Sequence, residues 1–382
     1  MRALVRALAA VALCAAVAGC RPKSTPFLEP INAADDAHLR RDGIAVRVDL
    51  KQLGERATLV IAPQLPVVAQ RTLIERRGPD DYSWIGKIGD DGSAVLTVHG
   101  AQVTGVVRLG PDVYDIVALP DGGHKLVRLT HLPNTTDHSP RFKTIEGKPA
   151  APVIPRPVGS PTPVIEVLVA YTKAAREQRS DIAAVAQTAL TEANQVNRDS
   201  GADLELHLAG TIEIDEEEDP DLDTTLDWLA TPGDHHFDEA QAARAAKHAD
   251  VVVLAIKLQG AVLGTSAAVM ADAATGFAVV NYRYMTTDFV LAHEVGHLLG
   301  LRHEPEADTA NSPFPEGHGY RYTGKSGTRE TIMATGCFSA CQRVPRWSNP
   351  AIPIDGEPGG AAGHSNEALV LTQTAYTVSR FN

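Results

Sequence analysis

The chain has 382 residues, 44% of them hydrophobic and 21% charged, with a formal net charge of −12. That length admits two domains, and the apolar share can fill a packed core, which excludes a disordered chain. The acidic balance excludes a nucleic-acid binder, because no net positive field is present to neutralise phosphates.

The first twenty residues, MRALVRALAAVALCAAVAGC, place Arg2 and Arg6 ahead of an Ala/Val/Leu stretch too short for an ordinary membrane span, then close on small residues. This is the form of an export signal. Val17-Ala18-Gly19-Cys20 resembles a bacterial lipobox, which implies a signal over residues 1–19 and a lipidated Cys20 as the first mature residue. Plain cleavage after Ala18 is the alternative, since Ala16-Val17-Ala18 has the small-x-small form. The expected location is outside a bacterial cytoplasm, lipid-anchored at the outer membrane or cell surface, or secreted if cleavage is plain. No later segment is long and apolar enough to span a membrane as a helix. With Cys14 in the signal and Cys20 the lipid candidate, Cys337 and Cys341 are the pair expected to form a disulfide in an oxidising compartment. A two-thiolate metal site there has no nearby ligands of its own.

Residues 20–131 form the first expected domain, and from Ile44 to Leu129 they read as β-rich. SAVLTVHG, QVTGVVRLG and VYDIVALPDGGHKLVRL alternate or run β-branched, with hairpin turns expected at Gly89–Ser93 and Pro120–His124. His99, His124, His131 and His138 are scattered singly and read as surface or structural residues. Residues 132–163 (Leu132 to Pro163) are proline-clustered and without periodicity, an extended linker and an accessible place for proteolytic nicking.

Residues 164–382 read as an α/β (α+β) domain. Val164–Thr172 is a buried strand; residues 174–201 read as one long Ala-rich helix ended by Gly201; DLELHLAGTIEI is a strand. The acidic run Asp215–Asp223 reads as a solvated loop, and nothing in its spacing supports a calcium site. DEAQAARAAKHA is helical, while Asp250–Lys257 and Gly276–Arg283 are strands. This order predicts a mixed, twisted sheet carrying helices.

Directly behind the last strand stands HEVGHLLGLRH, His293 to His303. Residues four apart on a helix share a face, so His293 and His297 can present imidazoles to one ion, with Glu294 projecting beside it. His303 lies six residues beyond His297, about 240° around a continuing helix and about 9 Å along it, out of reach of the same ion. A chain reversal is therefore needed, and Gly300 stands where a helix-ending residue with positive φ belongs. The three histidines would then fill three corners of a tetrahedron and leave the fourth to water. Zinc in such a site lowers the pKa of its water toward about 7 and polarises a carbonyl, with Glu294 as general base and proton carrier to the departing amine.

The full HExxHxxGxxH pattern resembles the metzincin zinc metallopeptidases. That resemblance implies a methionine turn under the metal, for which Met333 in ETIMATGC is the candidate. Some metzincins add a tyrosine ligand two residues later; Thr335 stands there, so none is expected. ADVVVLAI, FAVVNYR, FVLAHEVGHLLGLRHE, GHGYRY, TIMATGC and RVPRWSNPAI resemble, in order, bacterial peptidyl-Asp metalloendopeptidases and the adamalysin-like (reprolysin-like) catalytic domains. The β-rich part is more loosely similar to that family's pro-region. Two departures stand out: Glu304 follows the third histidine where relatives often carry Asp, and LGTSAA lacks a cysteine that many adamalysins have. The resemblance implies cutting on the amino side of Asp, with a cationic side chain in the primed-side pocket; Arg343 and Arg346 are the candidates, with Arg321 just before. No cysteine between Arg21 and the methionine turn can cap the metal, so any restraint by the first domain must be steric or use another ligand. The expected partner is a peptide or protein substrate, with membrane contact through the lipid alone and the oligomeric state open. The competing reading is a non-catalytic zinc-containing surface lipoprotein that acts as a binding module. Degenerate binders should lose the base or a ligand, and here Glu294 and all three histidines are present.

Overall fold

Alternating side chains in the first region form strands β1 (Leu28–Pro30), β2 (Ile44–Val48), β3 (Arg56–Ala62), β4 (Leu65–Arg76), β5 (Asp81–Ile88), β6 (Gly92–His99), β7 (Gln102–Leu109), β8 (Asp112–Ala118) and β9 (His124–Leu129). In this computed structural model, which describes residues 25–31, 43–62, 65–129, 151–258, 262–324, 327–335 and 341–382, those strands close a barrel. Hairpins pair β3 through β9 in sequence, β9 pairs β2, and β1 joins β2 antiparallel to β3 parallel. Closure leaves no sheet edge to template aggregation. Phe27, Leu59, Trp84, Leu96, Ile116 and Leu126 fill the interior. Both expected turns join consecutive strands, β5 to β6 and β8 to β9. His124 is buried, and its Nε2 accepts the Val103 amide at 3.0 Å, a structural role. The expected signal, Cys20, His131, His138, residues 132–150 and Cys337 lie outside the described residues.

From Val164 the fold is mixed α/β. Strands β10 (Val164–Thr172), β11 (Glu205–Ile214), β12 (Val251–Ile256), β13 (Gly264–Ser266) and β14 (Phe277–Asn281) form a sheet ordered β11-β10-β12-β14-β13, parallel except for the terminal β13. Parallel strands covered on both faces need apolar residues on both, and β10 and β12 have them. Ile165, Val167, Val169, Val251, Val253 and Ala255 face one core. Leu168, Ala170, Val252, Leu254 and Ile256 face the other. The helices are α1 (Lys173–Gln178), α2 (Ile182–Ser200), α3 (Leu222–Ala230), α4 (Asp238–Ala246), α5 (Val290–Leu298) and α6 (Glu367–Val378). Short strands β15 (Arg321–Gly324), β16 (Gly327–Glu330), β17 (Cys341–Arg343), β18 (Asn349–Ile354) and β19 (Glu357–Gly359) complete the C-terminal part.

Two local expectations need correction. The acidic run is not simply solvated: Glu218 accepts the Lys257 amide at 2.8 Å, Glu216 accepts the Phe237 amide at 2.7 Å, and α3 begins at Leu222, inside the run. The long helix is broken into α1 and α2, with Arg179 extended at φ −141° and ψ 90°. The reason lies in the barrel. Arg179 reaches both oxygens of Asp115 on β8, at 2.5 and 3.1 Å, while Asp181 accepts the Thr104 hydroxyl at 2.5 Å and the Ala118 amide at 3.1 Å. A continuous helix would aim these side chains elsewhere. Gly201 ends α2 at φ 73°, as expected.

The same barrel face carries a buried apolar patch, Ile85, Val95, Val106 and Val113, and further polar contacts. Thr188 and Thr191 on α2 meet Thr97 and Ser83 of the barrel through buried hydroxyl pairs at 2.7 and 3.0 Å. Because removing one member of a buried pair leaves its partner's charge uncompensated, Arg179→Ala should cost about 3 kcal/mol and lower the first calorimetric melting transition by about 5 °C or more. A shift within about 1 °C would show that the pair contributes nothing to folding.

Candidate metal centre

All nine residues of α5 are buried, which is why VLAHEVGHL carries apolar residues around the histidines. The helix ends at a turn in which Gly300 sits at φ 98° and the Leu301 amide donates to Gly296 O at 3.0 Å. A Cβ on Gly300 would also meet the Phe314 ring at 2.6 Å, so both backbone and space require glycine. The returning chain pairs Arg302 with His318, through Arg302 N to Gly317 O at 2.7 Å and Gly319 N to Arg302 O at 2.9 Å. This pairing swings His303 back over the helix.

There His293, His297 and His303 converge. The Nε2 atom of His293 lies 3.1 Å from that of His297 and 3.1 Å from that of His303. Backbone carbonyls decide the tautomers: His293 Nδ1 lies 3.0 Å from Ile332 O and His297 Nδ1 lies 2.8 Å from Leu301 O. Each Nδ1 must therefore carry a proton, so in the neutral rings the facing Nε2 atoms present lone pairs. Two bare lone pairs at that distance repel unless a cation lies between them. Tetrahedral ligands about 2.05 Å from zinc would be about 3.3 Å apart, so the spacing suits that ion. Burial pushes the His297 imidazole down to about 4, which keeps it a neutral donor.

Glu294 is buried next to the triad, and burial pushes its carboxyl up to about 8, with the Ser266 hydrogen bond opposing. Ser266 Oγ lies 2.6 Å from Glu294 Oε2, and a Cβ on Gly264 would fall 2.6 Å from Glu294 Oε1. Strand β13 thus aims this carboxylate, a role that sequence reading missed; the LGTSAA departure was its only signal. Met333 is fully buried beneath α5, where its Sδ comes within 3.0 Å of the position a Cβ on Gly296 would take. Gly296 lets the helix settle on the sulfur, and it too was missed.

Glu304 accepts the Thr335 amide at 2.8 Å and pairs with Arg321, which ties the third histidine's turn to the methionine turn. The Arg343 side chain is only 8% exposed, with Asp288 Oδ1 at 3.1 Å, Ala334 O at 2.9 Å and Glu330 at 3.4 Å. Arg346 is 30% exposed and pairs with Asp199 at 2.9 Å. The three arginines are thus spread over different partners, and Arg343 braces the turn. Cys341 opens β17, whereas Cys337 falls outside the described residues.

His318 donates from Nδ1 to His303 O at 2.6 Å, and its own carbonyl accepts the Ser348 hydroxyl at 2.9 Å. Glu367 caps that chain by accepting the Ser348 amide and, at 3.3 Å, the Thr331 hydroxyl. Burial pushes Glu367 from 4.5 up to about 8, so the folded protein holds a proton that the unfolded chain releases. Its stabilising contribution is full below about pH 4.5 and is lost as pH rises toward 8. Glu367→Gln should therefore raise the melting temperature relative to wild type by about 2–4 °C at pH 8 while changing it little at pH 4.5. An equal shift at both pH values, followed by calorimetry, would contradict a buried protonated carboxyl.

The Reprolysin_5 model, Metallo-peptidase family M12, matches residues 162–348. Among the proteins similar to the chain are three peptidyl-Asp metalloendopeptidases. That of Xanthomonas campestris pv. campestris is 31% identical over 296 residues, covering 76% of this chain and 70% of the relative. That of Stenotrophomonas maltophilia strain R551-3 is 29% identical over 381 residues, covering 96% and 91%, and so extends across the barrel. That of Stenotrophomonas maltophilia strain K279a is 31% identical over 299 residues, covering 76% and 71%. With the histidine cluster lying inside the matched region, the chain belongs to the M12 metallopeptidase family and is a metalloendopeptidase.

Proposed function

We propose that the chain is a zinc endopeptidase with His293, His297 and His303 as metal ligands, Glu294 as general base, Gly300 as the reversing turn and Met333 as the floor. The observation that carries this reading is the convergence of three histidine Nε2 atoms, two of them on rings whose Nδ1 faces a backbone carbonyl, beside a carboxylate gripped by β13. Three histidines, with no fourth protein ligand grouped with them among the described residues, match a catalytic zinc site better than a structural one. Zinc, when bound, supplies Lewis acidity toward water and the scissile carbonyl.

The protein's own groups then do the rest. Glu294 takes the proton of the attacking water on one carboxylate oxygen and passes it to the departing amine, so each turnover returns the carboxylate. Ser266 holds the other oxygen and favours the charged form, which a nearby cation favours further. Strand β13 is the terminal strand of the sheet and antiparallel to β14; an extended substrate laid along it would pass Glu294.

Cutting on the amino side of Asp is proposed from the relatives' name. Arg321 and Arg343 are held by buried carboxylates, so Arg346, the most exposed of the three, is the contact we assign to an acidic substrate side chain. We further propose a Cys337–Cys341 disulfide after the methionine turn, and export with lipid attached at Cys20.

An unbiased peptide library tests these assignments. Zinc-loaded protein should cut it, and both Glu294→Ala and chelated enzyme should lose about a thousandfold or more, the scale of a lost base plus its electrostatics. Cuts should cluster before Asp, and Arg346→Ala should flatten that preference. A chain that binds zinc yet cuts nothing, even after trimming at the linker, would instead be a binding module. Gly264→Ala should lower kcat about tenfold or more with zinc content unchanged, because the new methyl displaces Glu294 and not a ligand; normal kcat would disprove the role given to β13.

A further inference from the structure

Helix α5 begins at Val290, three residues before its first histidine, and its cap is unusual. Phe289 occupies the left-handed region at φ 58° with no side-chain capping bond. A bulky residue stays there only when its surroundings over-determine it. Two arginines supply that determination, from opposite ends of the sequence. Arg343 holds Asp288 through its carbonyl at 3.2 Å and its carboxylate at 3.1 Å. Arg108, from barrel strand β7, donates to Thr286 O at 2.6 Å and Thr287 O at 3.1 Å, and its guanidinium carbon lies 4.0 Å from the centre of the Phe289 ring. Glu192 on α2 holds the same guanidinium at 2.9 Å.

We propose that Arg108 is a positioning residue for the metal helix, so that the barrel is a working part of the active site. This rests on the zinc-peptidase reading above. A cation at a helix N-terminus is opposed by the helix dipole, so Arg108 stays for its other partners: two carbonyls, a carboxylate and a ring face. Those partners need a planar, multiply donating group, which arginine has and lysine lacks. Held from one side by Arg108 and from the other by Arg343, residues 286–289 fix the direction in which α5 starts and hence where His293 and Glu294 point. Arg343 also reaches Ala334 O beside Met333, so the helix entry and the floor of the site share one anchor. The barrel's contribution is the second, independent anchor, and its loss should loosen the ligands before it unfolds the chain.

The test uses full-length protein. Arg108→Ala and Arg108→Lys are compared with Asp115→Asn, which weakens the same seam at Arg179, on contacts that do not include residues 286–289. Zinc content, the rate of zinc transfer to a chromogenic chelator, kcat and KM on one peptide, and melting temperature are recorded for each. Arg108→Ala should speed zinc transfer and lower kcat by about tenfold or more, with KM within about twofold, the scale found when a support behind metal ligands is removed. Arg108→Lys should fall between, and Asp115→Asn should leave zinc transfer and kcat within about twofold of wild type. Equal losses in Arg108→Ala and Asp115→Asn would mean that docking alone matters and would overturn the proposal. So would unchanged zinc transfer in a folded Arg108→Ala protein. If that variant does not fold, Arg108→Lys set against Asp115→Asn decides the same question. Wild-type protein that neither holds zinc nor cuts peptide would instead sink the zinc-peptidase reading itself.

Discussion

Two backbone carbonyls set the chemistry of the histidine cluster. Ile332 O and Leu301 O take the Nδ1 protons of His293 and His297 and so turn the two Nε2 atoms toward each other at 3.1 Å, a spacing that suits a shared cation. Neither carbonyl belongs to α5. Leu301 is placed by the turn at Gly300. Ile332 is placed by the methionine turn, where its own amide donates to Arg346 O at 3.1 Å. The donor set therefore exists only when helix, turn and C-terminal segment are assembled together. This is why the surrounding structure spends so many interactions on fixing three short loops.

Those interactions are charged and buried, a combination that needs explanation. A buried carboxylate is expensive unless it is paired, hydrogen-bonded or protonated, and all three solutions surround the site. Glu304 takes the Thr335 amide and Arg321; Asp288 takes Arg343; Glu367 takes the Ser348 amide and is pushed up to about 8. Burial raises Glu330 to about 7, with Arg343 pulling the other way. The turns are thus tied by strong, directional bonds, while the low dielectric that strengthens them also holds His297 neutral and makes Glu294 a stronger base. One environment serves both stiffness and chemistry.

Much of this was readable because the signals are local. The i, i+4 pair at His293 and His297, the helix-ending Gly300 and the apolar face of α5 are properties of neighbours in sequence, and helical geometry converts them directly into positions. Gly201 ending α2 and the two barrel turns were legible for the same reason. What was illegible depends on partners far along the chain. The long Ala-rich run looks like one helix until Asp115 and Thr104 are brought against Arg179 and Asp181; only then does breaking it gain more than continuing it. Arg343 looks like a pocket cation until Asp288 arrives to bury it. Ser266 and Gly264 look like filler in a short strand until Glu294 lies across them. Arg108 carries no local signal at all.

The barrel poses the sharpest problem, since it looks both separable and indispensable. Its interior cluster draws only on residues from Phe27 to Leu126, and the two cores of the α/β part draw only on residues from Ile165 onward. The family model, too, starts at residue 162, as if the α/β part were sufficient. Yet beside an apolar patch at Ile85, Val95, Val106 and Val113, what joins the two halves is a set of hydroxyl pairs, a bidentate Arg179–Asp115 contact and the Arg108 fork. Contacts of that kind add little net affinity, because water offers each group similar bonds, but they tolerate almost no displacement. The polar part of the seam is poor glue and a good gauge. It fixes where the barrel sits on α2 and, through Arg108, carries that registration to the start of α5. A wholly apolar seam would have left the residues ahead of His293 free to settle elsewhere.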